Sequence, residues 1–372
     1  MKYLIIHHCD SWGGAGVSLK LTCEMLMESG VDVTVCLPHK GTEVYNQLSK
    51  INNLNIISIE RNLGMIAAYN GGPSFFSRTF FSVLSIIPSC KRALKKVLER
   101  ESYDLIILNS MTLSWVCRLT SSLSLKSIVY IRETKPPFHP GFQLIRSYIN
   151  RYATGVVFIS AFDKKRMRLE CSCQLVMPNS IHLSDFVVKD SKQQLLAKYA
   201  LPNDSMILLY VGGDDKLKGY DILLKAIERL QGCNIKIIVV GPVRDENKKN
   251  NVIYLGKVYD MSSIYQMSDV LVFPSIKGHQ ARPAFEAGAC YVPVIISDFP
   301  ETSDEIIDGY NGLTFTPLDP ENLAEKIMVL YSNPELRRKY GVNNYKETSE
   351  NHNYEINKQK LTSFLESTIA RQ

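Results

Sequence analysis

Residues 275–288, SIKGHQARPAFEAG, place an arginine, a proline and a glutamate at the predicted start of a helix. Pro283 suits the first helical position, where its missing N–H is not needed. Arg282, just outside that helix, would add a fixed positive charge, and Glu286 would lie one turn in on the same side. Because helix N-termini present unpaired N–H groups to anions, the pattern predicts a site for a phosphate and a hydroxyl. The alternative is a glutamate that only stabilises the helix dipole.

A second candidate is a lysine that follows a buried strand in LLYVGGDDKLKGYDILLKAIERL. The strand ends at Gly212 and Gly213, and Lys218 comes just before a helix predicted from Tyr220. A lysine ammonium at this point can neutralise phosphate oxygens as a compact point charge. An ordinary surface lysine is the simpler alternative, and the residues alone leave both open.

A third candidate is the glycine-rich turn in HHCDSWGGAGVSLKLTCEML, directly after the first predicted strand. Gly13, Gly14 and Gly16 would let backbone N–H groups approach a phosphate. The spacing is not G-x-G-x-x-G, and no acidic residue is well placed after the second strand, which argues against a dinucleotide-dependent oxidoreductase. A tight strand-to-helix turn without a ligand explains the glycines equally well.

Short apolar runs alternate with helical segments along the whole chain, from KYLIIHH and VDVTVCLP to DVLVFPS and VPVIISD. Nearly continuous apolar strands indicate parallel sheets covered by helices on both faces. We therefore predict an α/β protein with two doubly wound domains, residues 1–188 and 189–350, and a final helix in 351–372. Ligands in such sheets bind beyond the carboxyl ends of the strands, so we expect the site in a cleft between the domains.

Composition narrows the class of protein. The 372 residues carry a net charge of +6 and are 45% hydrophobic, which is far from a dedicated nucleic-acid binder and leaves no nucleic acid among the expected partners. The nine cysteines lie mostly in apolar runs and are expected to be reduced; the C-x-C pair at 171 and 173 is a poor zinc motif. Neither a signal peptide nor a spanning helix is expected, which favours the cytoplasm.

The order of these motifs resembles glycosyltransferase family 4, the group 1 enzymes of GT-B architecture. The resemblance rests on G-G-A after the first strand, KG with D-x-L-L-x-A, SDVLVFPS, P-x-x-EA, PVIISD and DGYNGL. It covers most of the chain, is most specific from 269 to 315 and is weak between 40 and 125. It implies two Rossmann-like domains facing across a cleft, and a retaining hexosyltransferase that needs neither cofactor nor metal.

The resemblance also implies roles for particular residues. Lys218 would neutralise the diphosphate of a nucleotide diphosphate sugar, N–H groups around 281–284 would meet the diphosphate or the sugar, and Glu286 would bind ribose hydroxyls. Gly14 and Ala15 would approach from the other domain. The implied catalytic residues are Lys218, Glu286 and Arg282; the implied donor-binding residues are Gly14, Ala15, Gly212, Gly213, Lys218, His279, Ala281, Arg282, Pro283, Ala284 and Glu286.

Three positions depart from the family pattern. Gly213 stands where the family has an arginine, so Arg282 is the hypothetical partner of Lys218. Gly278 stands where the first of two glutamates is expected, with His279 as its polar neighbour. On the acceptor side, Arg132 replaces a histidine and is followed by Glu133.

The implied acceptor is a glycan or a lipid-linked saccharide in surface polysaccharide synthesis. Residues 75–100, FFSRTFFSVLSIIPSCKRALKKVLER, combine aromatic residues with a basic run. They predict either a peripheral contact with an anionic membrane or a core helix followed by a solvated basic face.

Two other classes of protein share part of the pattern. A nucleotide-sugar 2-epimerase has the same two-domain plan but needs additional acidic and histidine groups in the cleft. A nucleotide-sugar binding protein with little turnover is suggested by the departures at Gly213, Gly278 and Arg132.

Overall fold

The computed structural model describes residues 1–63, 81, 85–133, 140–187, 190–244, 251–278 and 280–370. The chain forms two units, one of Met1–Ser180 with the residues from Glu355 onward, and one of Ile181–Tyr354. The sequence places the boundary near 188, whereas the structure divides the chain at Ser180 and Ile181. The final helix also groups with the first unit, so that unit is discontinuous in sequence rather than a simple N-terminal block.

The first unit is built on a parallel sheet whose strand order is β3-β2-β1-β4-β5-β6-β7 among the described residues. The central strands are buried along their whole length, for example Leu105–Leu108, because helices cover both faces. The strands are β1 Lys2–Ile6, β2 Asp32–Leu37, β3 Asn55–Ser58, β4 Leu105–Leu108, β5 Ser127–Ile131, β6 Gly155–Phe158 and β7 Gln174–Val176.

The connections between these strands are mostly helical, as parallel pairing requires. Several begin with a side-chain cap, such as Ser160, whose hydroxyl accepts the N–H of Asp163 at 3.0 Å. The helices are α1 Gly14–Glu28, α2 Glu43–Leu48, α3 Ile87–Arg100, α4 Val116–Ser122, α5 Pro140–Tyr152 and α6 Ala161–Met167.

The second unit repeats this plan with a parallel sheet in the order β10-β9-β8-β11-β12-β13 among the described residues. Its strands are β8 Met206–Val211, β9 Ile235–Val240, β10 Val252–Gly256, β11 Val270–Phe273, β12 Val294–Ser297 and β13 Gly312–Phe315. Chain order reverses between neighbouring strands β8 and β11, which is where doubly wound sheets bind ligands.

The helices of the second unit are α7 Lys192–Lys198, α8 Tyr220–Glu228, α9 Met261–Met267, α10 Arg282–Ala289, α11 Pro320–Tyr331 and α12 Pro334–Asn351. The last helix, α13 Tyr354–Ala370, runs back to the first unit. Helix α10 packs on α12: the Asn344 amide donates to Ala284 O at 3.4 Å, and the Thr348 hydroxyl donates to Phe285 O at 3.3 Å. The first turn of α10 is therefore anchored to a neighbouring helix.

The α/β class with two Rossmann-like units is confirmed. All nine cysteines are free, as expected, and most are buried. Within the described ranges, no helix is both long and apolar enough to cross a membrane.

Candidate functional site

Lys218 lies on a short turn that follows β8, at the carboxyl edge of the second sheet. The turn spans Lys216–Lys218, and the Asp215 carboxylate caps it by accepting the N–H of Leu217 at 2.9 Å. The Lys218 side chain crosses over Gly212, since its Cδ lies 2.9 Å from the point where a Cβ of Gly212 would be. Lys218 is partly exposed and makes no ion pair with any described residue. The structure thus places the stem of this lysine over Gly212, and no described residue forms an ion pair with its ammonium group.

The loop after β11 contacts the Lys218 turn directly. Ile276 donates its N–H to Leu217 O at 3.0 Å, which joins the ends of two neighbouring strands. Ser275 is fully buried, and its hydroxyl donates to Lys277 O at 3.1 Å. The two segments that the sequence singled out separately are therefore adjacent in the fold.

The N-terminus of α10 holds a carboxylate that the sequence analysis missed. Both carboxylate oxygens of Glu305 accept the N–H of Ala281 at 2.9 Å. Ala284 donates its N–H to Ala281 O at 2.8 Å, and Pro283 has no N–H. The amides of 281–284 are thus not the open cradle that was expected, because two are used within the unit and one position has none.

Burial raises the pKa of Glu305 to about 8, and the Ala281 N–H offsets only part of that effect. The folded state therefore keeps a proton that the unfolded chain loses near pH 4.5, so stability falls as pH rises from about 4.5 to 8. We expect Glu305→Gln to flatten this dependence, which amounts to about 1.4 kcal/mol for each unit of pKa difference. Urea unfolding at pH 5 and pH 8 measures it. The charge of the exposed neighbour Asp304 also raises this pKa, but less than burial does, so Asp304→Asn should flatten the dependence much less than Glu305→Gln. Equal slopes for all three proteins would contradict the assignment.

Arg282 and Glu286 form a pair within α10. The helix begins at Arg282, so this arginine lies inside the helix and not just outside it as the sequence suggested. The guanidinium lies 3.5 Å from Glu286 Oε1 and stacks over the Phe285 ring, while Tyr265 donates its hydroxyl to Glu286 Oε2 at 2.8 Å. The side chains of Arg282 and Glu286 are 22% and 17% exposed. Burial raises the pKa of Glu286 despite the nearby arginine.

Gly213 departs from the family pattern for a reason that is visible in the backbone. Its φ is +61°, and a Cβ at this position would lie 2.2 Å from Pro242 O. An arginine cannot replace Gly213 in this conformation, so the departure belongs to the local fold of the turn.

We expect Gly213→Ala to destabilise the protein by more than the 1–3 kcal/mol or so that a positive φ costs alone, because the methyl group would overlap a backbone carbonyl. Gly232→Ala is the matched control: its φ is +87°, but no atom lies within 4 Å of the added methyl. Denaturant unfolding of both variants measures the difference. Equal losses would show that the Pro242 contact relaxes at no cost.

In the first unit, Gly14 and Ala15 form the exposed start of α1. No side chain caps this helix, and nothing lies within 4 Å of a Cβ built on Gly14. An uncapped N-terminus with an open approach has the features expected of an anion site. Their joint action with Lys218 on one diphosphate stays a prediction.

Arg132 and Glu133 are both engaged within the first unit. Arg132 donates to Asn109 Oδ1 and Asn179 Oδ1, each at 2.9 Å, and stacks 4.6 Å from the centre of the Tyr130 ring. Glu133 accepts from the Ser110 hydroxyl and the Met111 N–H. Both side chains therefore order the carboxyl edge of the first sheet, and contact with an acceptor stays a prediction.

Other expectations fall partly outside the described residues. His279 lies outside them, as do 75–80 and 82–84 of the aromatic and basic segment. Helix α3 buries Cys90, Leu94 and Leu98 and exposes its basic residues. This agrees with the alternative of a core helix that has a solvated basic face, and contact with a membrane stays a prediction. No group of three or more potential metal ligands occurs in the part of the chain that the structure describes.

Sequence reasoning missed Glu305 and Tyr265. Glu305 follows β12, whose carboxyl end is next to that of β11, so strand order was the missing information. Tyr265 lies in an apolar helix, where a tyrosine is ordinarily a core residue.

Two family models together match most of the chain. Residues 12–184 match the model described as Glycosyltransferase Family 4, and residues 191–347 match Glycosyl transferases group 1. These ranges correspond to the two units.

Individual relatives agree with these models. The chain is 29% identical to the capsular polysaccharide biosynthesis glycosyltransferase CapM of Staphylococcus aureus, over 51% of this chain and 53% of that protein. The chain thus spans about half the length of this relative. It is 23% identical to a lipopolysaccharide 1,2-N-acetylglucosaminetransferase of Salmonella typhimurium, over 78% of each chain. The crystal structure of HepE from Anabaena in complex with UDP matches with a TM-score of 0.81 at 16% identity, over 99% of this chain and 100% of that one.

Proposed function

This chain belongs to glycosyltransferase family 4, the group 1 glycosyltransferases with the GT-B fold, and on that premise we propose that it transfers a sugar from a nucleotide diphosphate sugar to a saccharide acceptor. The observation that carries the proposal is Lys218. Its stem lies over Gly212 at the point where the strand order reverses, and no described residue forms an ion pair with it. A diphosphate is the ligand that such a position suits.

The reaction then depends on stabilising the leaving group. The bond between the anomeric carbon and the diphosphate oxygen breaks, and the ammonium of Lys218 lowers the energy of the negative charge that develops on that oxygen. An acceptor hydroxyl forms the new bond on the same face, and its proton passes to the departing phosphate oxygen. The configuration is therefore retained without a protein base, and we expect no requirement for a metal.

The remaining donor contacts are assigned to α10. Glu286 is held by Arg282 and Tyr265, yet each carboxylate oxygen has a second lone pair that can accept a ribose hydroxyl. Arg282 contributes positive charge to this region and orients Glu286. We assign it the role of a positioning residue for Glu286, and its partnership with Lys218 stays a prediction.

The acceptor is proposed from the relatives. CapM is named for capsular polysaccharide biosynthesis, and the Salmonella relative is named for lipopolysaccharide. Both names support a surface glycan as the acceptor class, and we propose a glycan or a lipid-linked saccharide as the acceptor.

Binding of the donor nucleotide is the first test. UDP, GDP, ADP, CDP and dTDP are screened for thermal stabilisation, and a nucleotide at a hundred times its dissociation constant should add about 2.7 kcal/mol to the folded state. UDP is included because HepE was crystallised with it. Absence of stabilisation by every nucleotide would refute the proposal.

Turnover is tested next, with the sugar conjugates of the nucleotide that binds. Transfer to a saccharide acceptor, or slow hydrolysis of the donor, is the expected result. Conversion of the donor to an epimer without acceptor would identify the epimerase alternative. Binding without any turnover would favour the binding-protein alternative.

A further inference from the structure

We propose that Glu301 is the carboxylate that binds hydroxyls of the transferred sugar and determines which sugar is accepted, an inference that rests on the proposed function. It starts from Gly278, which stands where the family pattern has a glutamate. An ideal Cβ on Gly278 would lie 2.2 Å from Glu301 Oε2 and 2.7 Å from Glu301 Cδ. The carboxylate of Glu301 thus occupies the space in which a side chain at 278 would begin.

The fold explains how a distant residue reaches this space. Glu301 lies on the Pro300–Thr302 turn that follows β12, and β12 is the neighbour of β11, whose following loop contains Gly278. The Thr302 hydroxyl fixes the turn, because it donates to Phe299 O at 2.8 Å and accepts the N–H of Phe299 at 3.4 Å. Glu301 is partly exposed, so its carboxylate is held in place without being sealed in the core.

This carboxylate suits a hydroxyl and not a phosphate, and because Glu286 is already assigned to the ribose hydroxyls, we assign Glu301 to the transferred sugar. The loop that Glu301 contacts is joined to the Lys218 turn through the Ile276 to Leu217 hydrogen bond, so Glu301 lies on the same edge as the proposed diphosphate site. A carboxylate next to bound phosphates would repel them, but it accepts hydrogen bonds from neutral sugar hydroxyls. A site built to bind a hydroxyl discriminates strongly against a sugar that lacks it or directs it elsewhere.

The absence of a side chain at Gly278 leaves room for the Glu301 carboxylate. Any larger residue at 278 would displace the Glu301 carboxylate, since the overlap is with the end of a flexible side chain. The glycine and the glutamate are therefore coupled, and the carboxylate in this space comes from the turn after β12 and not from position 278.

The experiment compares the affinity for a nucleoside diphosphate with the affinity for its sugar conjugates. Wild type, Glu301→Gln and Glu301→Ala are titrated by calorimetry with the nucleotide that binds in the screen and with its hexose and N-acetylhexosamine conjugates. We expect the affinity for the bare nucleotide to change less than about twofold, and the affinity for the preferred sugar conjugate to fall about tenfold or more, as for loss of a charge-assisted hydrogen bond. The exposed Asp304→Asn in the same segment is the matched control, and it should change neither affinity.

Two further variants separate a binding role from a structural one. Gly278→Ala keeps the carboxylate but displaces it, and should reproduce the loss of sugar affinity. The double variant Gly278→Glu with Glu301→Ala moves the carboxylate back to 278, and should regain sugar affinity over Glu301→Ala. An unchanged affinity of Glu301→Ala for every sugar conjugate would overturn this inference, whereas failure of the wild type to bind any nucleotide would instead refute the proposed function.

Discussion

Replacing Lys218 by alanine is expected to weaken binding of the nucleoside diphosphate by about 10- to 100-fold and to leave stability nearly unchanged. The loss corresponds to about 1.5–3 kcal/mol, the contribution of a hydrogen bond to a charged group. Stability should be insensitive because the side chain is partly exposed and pairs with no described residue. Calorimetric titration gives the affinity, and urea unfolding gives the stability.

Lys216 provides a matched control for this experiment. It lies two residues away on the same turn, carries the same charge and is exposed. Lys216→Ala should lower the affinity only because it removes one positive charge from the surface. Salt screens this long-range electrostatic effect. If the two alanine variants lost the same affinity at 0.15 M salt, Lys218 would be one surface lysine among others, and the assignment of the diphosphate site would fail.

The fold was predictable because its determinants are local. Each strand is a short apolar run, and parallel pairing forces helices between strands, so the two doubly wound sheets follow from the sequence. The unit to which the last helix belongs was not predictable in this way. Its apolar residues indicate that one face is buried, but not which unit buries it, and the structure assigns it to the first unit.

The sequence predicted those site residues that follow a single strand. It did not predict contacts between residues that follow two different strands. Lys218 follows β8 and Pro283 lies in the first turn of α10, so their places are set by residues close in sequence. The bonds from Ala281 to Glu305 and the contact of Gly278 with Glu301 join the ends of β11 and β12. Such pairs depend on strand order and on the exact path of two loops, which no local pattern specifies.

Glu286 is expected to behave differently from Lys218, and the difference lies in stability. The sequence alone predicts that Glu286→Ala weakens donor binding without affecting unfolding. In the structure this carboxylate is mostly buried. It accepts a hydrogen bond from the Tyr265 hydroxyl and forms an ion pair with Arg282. Glu286→Ala would remove the buried acceptor of the Tyr265 hydroxyl and the carboxylate that pairs with Arg282, so we expect a loss of about 1–3 kcal/mol in the free energy of unfolding as well as the loss of donor affinity.

Glu286→Gln separates the two effects. The amide oxygen can still accept the Tyr265 hydroxyl, so most of the stability should remain, whereas the charge that strengthens bonds to ribose hydroxyls is lost. We therefore expect this variant to lose about tenfold in donor affinity at near wild-type stability. Calorimetry and urea unfolding measure the two quantities separately.

The control is an exposed glutamate–arginine pair in the same unit. Glu335 and Arg338 form a pair at 2.9 Å in the first turn of α12, and both side chains are more than 70% exposed. Glu335→Ala should cost less than about 1 kcal/mol, since water replaces the lost partner of an exposed pair. If Glu286→Ala cost no more than this and the Gln variant bound the donor normally, then Glu286 would be neither a buried anchor nor a donor ligand. In that case the charge on α10 would only stabilise the helix, which is the simpler interpretation of a glutamate in a first turn.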